Sequence, residues 1–176
     1  MKKMITCLLA VAALSTACKE EKKEEAKPTV TPAVTLPYQI GYASDFEIGD
    51  SKYAQIVLAA WKDYDNNTLQ NSLPVFADSV TMYFAEGSII SNKKDSAIAF
   101  VAKARGSMAS ATSSIDAVTV LKTKGKDDTW VCVWGKEVDI MKDGKKDSML
   151  LNENWMFNKD GKVSVIRQYC SQIAKK

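Results

Sequence analysis

The sequence predicts an α+β domain, helices first and a meander of antiparallel strands after them. Two observations carry this. The apolar residues Tyr53, Ile56, Val57, Ala60, Trp61 and Tyr64 recur at helical spacing and form one stripe on one face. Further on, four runs are rich in β-branched and aromatic residues: about Ile115–Thr123, Thr129–Met141, Ser148–Phe157 and Lys162–Ser171. The segments between them, KGKDD, KDGKKD and NKDG, carry turn chemistry.

Residues 1–17 are expected to be cut away. Lys2 and Lys3 precede the apolar run Met4 to Leu14, and the small residues Ser15, Thr16 and Ala17 follow it. A membrane-spanning helix needs about 20 apolar residues, so this run is too short. A basic start, a short apolar core and a small-residue exit describe a secretory signal. LSTAC resembles the lipobox of bacterial lipoproteins, which implies cleavage before Cys18 and a lipid on that cysteine. The alternative is a soluble secreted protein cut near Ala17. The following KEEKKEE looks like the surface-export signal of lipoproteins in one Gram-negative phylum. That resemblance implies a lipid-anchored protein of the cell envelope, on the outer membrane and facing outward. Residues 18–37 end in KPTVTPAVTLP and show no hydrophobic periodicity. Charge and proline favour an extended, solvated tether there. Residues 38–176 remain as one domain, long enough for a proper core.

Composition excludes several chemistries. The chain is +3, and removing Lys2 and Lys3 leaves it near +1. With no basic stripe, a nucleic-acid partner is not expected. There is no histidine, so neither a Ser-His-Asp triad nor an HExxH zinc site exists, and no group titrates by nature near neutrality. Of four cysteines, Cys7 leaves with the signal and Cys18 takes the lipid. Cys132 and Cys170 are too few for a zinc site or a disulfide framework. No metal and no cofactor are expected.

The elements follow in order. Asp65, Asn66 and Asn67 close the first helix, and a short helix runs from about Leu69 to Phe76. VTMYF, Val80–Phe84, reads as a strand. Asp95 is expected to cap a helix through SAIAFVAKA that Gly106 ends, before the four strand-like runs. Turn geometry gives a register. A two-residue turn at Lys159-Asp160 sets Glu153 opposite Ile166 and Leu151 opposite Gln168. A turn at Asp143-Gly144 sets Trp134 opposite Glu153 and Cys132 opposite Trp155. One face then holds Trp130, Cys132, Trp134, Val138, Ile140, Met149, Leu151, Trp155, Phe157, Ile166 and Cys170, with Glu153, Gln168 and Ser164 among its polar exceptions. The other carries Glu137, Asp139, Asn152, Asn154 and Arg167. The helix is expected on the first face. In this register Cys132 and Cys170 are too far apart for a disulfide, whose Cα atoms lie within about 7 Å, and both are expected as free, buried thiols.

The N-terminal helix, LPVFADSVTMYF, the helix after DS and the closing WMFNKDGKVSVIRQYC resemble the SnoaL-like group of the nuclear transport factor 2-like superfamily, over about residues 50–172. The resemblance implies a cone: a strongly curved, antiparallel-rich sheet closed by N-terminal helices around an apolar cavity. The group includes polyketide cyclases, ketosteroid isomerase, dehydratases, epoxide hydrolases and non-catalytic binding modules, and its frequent sheet-to-sheet dimers imply a homodimer. With FAD and FNKDG as anchors, the general base of ketosteroid isomerase falls on Phe84 and its tyrosine donor on Ala60. Its protonated acid falls on Glu153 and a pocket tryptophan on Cys170. Base and tyrosine are lost, so proton shuttling of that kind has nothing to take the proton.

Glu153 is the candidate catalytic residue, reached by both register and resemblance. Beside Trp134 and Trp155 its carboxyl would be desolvated, and a neutral acid donates a hydrogen bond. The alternative is an acid paired with Lys136 or Arg167. The candidate ligand-binding residues are Trp61, Tyr64, Phe84, Trp134, Trp155, Gln168 and Cys170, with plain core packing as the alternative for the aromatics. Tyr53 is placed at the same opening. Two readings follow: a lipid-anchored module that binds a small apolar ligand or a protein partner without catalysis, or an isomerase, cyclase or dehydratase acting on an apolar cyclic or carbonyl substrate with Glu153 as acid.

Overall fold

The computed structural model describes residues 36–173, and a compact unit begins at Ile40. The expected signal segment, Cys18 and nearly all of the tether lie outside the described residues. Strand β1 (Phe46–Ile48) leads into helix α1 (Lys52–Asp65) and a 3-10 helix (Leu69–Val75). Then come β2 (Phe76–Tyr83), β3 (Ile89–Lys93), α2 (Lys94–Gly106), β4 (Met108–Thr123), β5 (Thr129–Met141), β6 (Lys146–Phe157) and β7 (Val163–Gln172). The seven strands form one sheet in the order β1-β4-β5-β6-β7-β2-β3, antiparallel except where β2 runs parallel to β7. The sheet curls around the helices, so the α+β cone expected from the sequence is the fold observed.

Differences lie where local pattern is weak. Strands β1 and β3 have no alternation of their own and exist by pairing with β4 and β2. Strand β4 starts at Met108, seven residues before the expected Ile115, because MASATSS gains its strand character from β5 alongside it. Asp95 does not cap α2. The helix starts at Lys94, and Asp95 sits in the first turn, where its charge suits the helix N-terminus.

The two KDG turns decide which side chains reach the interior. Both are three-residue loops, Lys142-Asp143-Gly144 and Lys159-Asp160-Gly161. Met141 N–H donates to Lys145 O at 2.8 Å, and Asn158 N–H donates to Lys162 O at 2.9 Å. Each glycine is left-handed, with φ of 82° and 69°, the glycine-terminated hairpin that follows a type I turn. Relative to the expected two-residue turns, each loop slips the register by one residue, and a one-residue slip turns every side chain over.

Between β6 and β7 a bulge after Val163 adds a second slip and restores the facing. Glu153 therefore lies opposite Gln168 and Trp155 opposite Ile166, all still inward. Between β5 and β6 no bulge intervenes. Val133, not Trp134, is opposite Glu153, and Val131, not Cys132, is opposite Trp155. The expected facing of β5 is thus inverted. Trp130, Cys132, Trp134, Val138 and Ile140 point outward, and Val131, Val133, Glu137 and Asp139 point inward.

The core confirms the inversion: Val131 and Val133 are 0% exposed, as are Val57, Phe157 and Val163. Burying such a side chain contributes roughly 1.5–3 kcal/mol, which outweighs anything the half-exposed Trp134 gains outside. The two cysteines are free, as the strand spacing requires, but not buried. Cys132 is half-buried on the outer face, and Cys170 is exposed.

Candidate functional site

Helices α1 and α2, the 3-10 helix and the inner face of the sheet enclose an open cavity of about 600 Å³. Its walls are mainly apolar and aromatic, among them Trp61, Phe76, Met82, Phe84, Ile98, Leu151, Trp155 and Ile166. Seven of the eight side chains singled out from the sequence meet here: Trp61, Tyr64, Phe84, Glu153, Trp155, Gln168 and Cys170. Ala60 lines it too, so all four positions aligned with the isomerase site converge on one space. Trp134 does not. It is 42% exposed on the opposite face, a consequence of the one-residue slip in β5. Tyr53 packs against Phe157, ring centroids 4.6 Å apart, as part of the core.

Glu153 is the hub of the site. It faces inward on β6 and is only 9% exposed. Its Oε2 accepts the indole N–H of Trp61 at 2.7 Å and that of Trp155 at 2.8 Å, and its Oε1 accepts the amide N–H of Gln168 at 3.0 Å. The three donors arrive by three routes: helix α1, the same strand two residues on, and the cross-strand position on β7. Burial pushes the Glu153 carboxyl up, while the Gln168, Trp155 and Trp61 donors pull it back. Glu153 is buried beside Trp155 as expected, with Trp61 standing where Trp134 was expected, but it accepts three N–H groups where a neutral acid donating a hydrogen bond was expected.

A glycine makes room for that indole. At Gly135 on β5 a Cβ would come within 2.5 Å of Ser114 O and 3.2 Å of the Trp61 ring. The Trp61 ring thus lies against bare backbone, which fixes its N–H on Glu153.

The inverted β5 brings in two further acids. Glu137 and Asp139, two residues apart and on one face, project into the far end of the cavity near Tyr64, Met108 and Ser113. Burial and then the neighbouring Asp139 push Glu137 up to about 8. Burial raises Asp139 as well, opposed by its hydrogen bond with Glu137. Asp139 is 3% exposed, and its Oδ1 is buried with no hydrogen-bond partner. Tyr64 Oη has only the Met108 sulfur, at 3.8 Å, and burial raises its pKa. Arg105 is near, but its Nε and Nη2 donate to the Tyr64 and Asp65 carbonyls at 2.9 and 2.8 Å and cap the end of α1. Among the described residues no group of three or more His, Cys, Asp or Glu is placed to hold a metal ion.

Sequence reasoning missed this acid pair by setting it on the outer face. A signal was there: MKDGK and NKDGK carry the same turn residues and form the same three-residue loop.

By sequence the chain matches no family model and no curated protein. By structure it is similar to many. A protein of Kribbella flavida superposes with a TM-score of 0.60 at 12% identity, over 70% of this chain and 91% of that one. An NTF2-like protein of unknown function from Burkholderia pseudomallei gives 0.56 at 16%, over 69% and 92%. This domain has the nuclear transport factor 2-like fold. An epoxide hydrolase of M. tuberculosis, described as LEH-like, shares it with a TM-score of 0.56 at 12% identity, over 69% and 84%. Within the nuclear transport factor 2-like fold, the cavity between helices and curled sheet is where this chain collects its buried acids.

Proposed function

We propose that the chain is a lipid-anchored envelope protein whose nuclear transport factor 2-like domain binds a small, mainly apolar molecule without transforming it. The cavity carries this reading. It is open, about 600 Å³ and lined mostly by apolar and aromatic groups, the size and character of small-molecule sites. Its most central acid is committed to holding the walls: both Glu153 oxygens accept N–H groups of the protein itself. Anchoring rests on the signal-like residues 1–17 and on Cys18.

Nile red, a neutral apolar dye, tests the pocket. It should bind saturably at one site, and Ala104→Trp, which sets an indole at the cavity wall from α2, should abolish binding without loss of folding. Binding unchanged in that variant would place the dye elsewhere and contradict the reading. Anchoring is tested by metabolic labelling with an alkynyl fatty acid, which should disappear in Cys18→Ser and with globomycin.

One observation favours a catalytic second reading. Glu137 and Asp139 stand two residues apart on one face in a buried site, and burial raises both carboxyls, which suits general acid–base work, and the LEH-like neighbour is an epoxide hydrolase. On this reading the acid is the β5 pair, and Glu153 positions the walls. Turnover of an apolar epoxide or carbonyl compound, lost in Asp139→Asn, would establish it.

A further inference from the structure

Among the described residues four carboxyls line the cavity, Glu86, Glu137, Asp139 and Glu153, and neither lysine nor arginine does. The imbalance is local, because the chain as a whole is +3. At the Glu153 end the protein supplies its own donors. At the β5 end Asp139 is 97% buried, lines the cavity and, among the described residues, leaves Oδ1 without a donor. An unpaired buried acceptor forfeits its hydration without return, so this position is incomplete until something donates to it. Asp65 on α1 also bears on Glu137, although Lys62 Nζ pairs with it at 3.6 Å and Ser113 Oγ donates to it at 2.8 Å. The charge of Arg105 acts on Asp139, but its Nε and Nη2 are engaged with backbone carbonyls, and it forms no ion pair with Asp139 among the described residues.

We propose that the cavity takes an organic cation: a small apolar body among the aromatic walls, carrying an amine whose ammonium donates to Asp139 Oδ1 beside Glu137. The inference rests on the pocket reading above and adds the chemical class of the ligand. A charge-assisted bond to a desolvated carboxylate is about twice as strong as a neutral one. The aromatic walls suit the body of such a molecule, and the lack, among the described residues, of three side chains placed to hold a metal favours an organic cation over a metal ion.

The test compares naphthylmethylamine with naphthylmethanol, equal in shape and different in charge, by calorimetry on the intact protein. The amine should bind at least about tenfold more tightly, a difference of about 1.4 kcal/mol. In Asp139→Asn the amine should lose most of that advantage while the alcohol keeps its affinity. An alcohol that binds as well as the amine overturns the inference and leaves the apolar pocket standing. An amine preference that survives Asp139→Asn also overturns it. Binding of neither compound, with no saturable Nile red site, removes the pocket reading and this inference together.

Discussion

Raising the pH from 5 to 8 should destabilise this domain, and Glu137→Gln should remove most of that effect. Glu137 binds its proton with a pKa of about 8 in the folded protein against an ordinary 4.5. The folded state therefore holds a proton that the unfolded chain has already released. Where the unfolded state binds fewer protons, stability falls as pH rises. The contribution is whole below pH about 4.5 and is lost as the pH climbs through the folded value. Each pH unit across that window is worth about 1.4 kcal/mol, giving a ceiling of about 5 kcal/mol. Asp139 shares the titration, so the measured loss belongs to the pair, and about 3 kcal/mol is the expectation. That is a large fraction of a typical stability of about 5–15 kcal/mol.

The window is unusually clean because the chain has no histidine. Asp139 and Glu153, also raised by burial, act with the same sign. Asp50, held down by the Lys52 backbone N–H, and Asp143, held down by the Lys145 side chain, act oppositely, but below pH about 4. Urea unfolding at intervals from pH 5 to 8.5, on wild type and Glu137→Gln, reads the effect. Wild-type stability that is flat or rises over this range would refute the buried acid pair.

Other substitutions separate the two faces of the sheet. Trp155→Ala should cost about 3–5 kcal/mol, whereas Trp134→Ala, on the outer face, should stay within about 1 kcal/mol; equal costs in urea unfolding would mean that β5 faces the other way. Gly135→Ala should cost about 1–3 kcal/mol through overpacking against Ser114 and Trp61, and an unchanged midpoint would contradict that contact. Thiol labelling with peptide mapping should modify exposed Cys170 promptly in the native state and Cys132 slowly, because Cys132 is half-buried and burial raises its thiol; comparable rates would contradict the placement.

The helical stripe, the four main strands and the inward position of Glu153 were legible in the sequence because each rests on a strong local period or on the resemblance. The facing of β5 was not. TWVCVWGKEVDIM alternates apolar residues on both parities up to Trp134, so pattern alone does not choose a face, and one loop residue decides it. Binary patterning turns Glu137 and Asp139 to solvent, yet they line the cavity. Sites of this kind break the pattern rule that the rest of a fold obeys. The Trp61 bond to Glu153 spans 92 residues, and no local signal announces it.

The most direct test of the account is native mass spectrometry of the wild-type protein and Ala104→Trp, purified gently from the cells that make them. Wild type should carry a reproducible small-molecule adduct that is absent from Ala104→Trp. A bare wild-type protein, or the same adduct on both, would contradict the claim that this cavity holds a ligand.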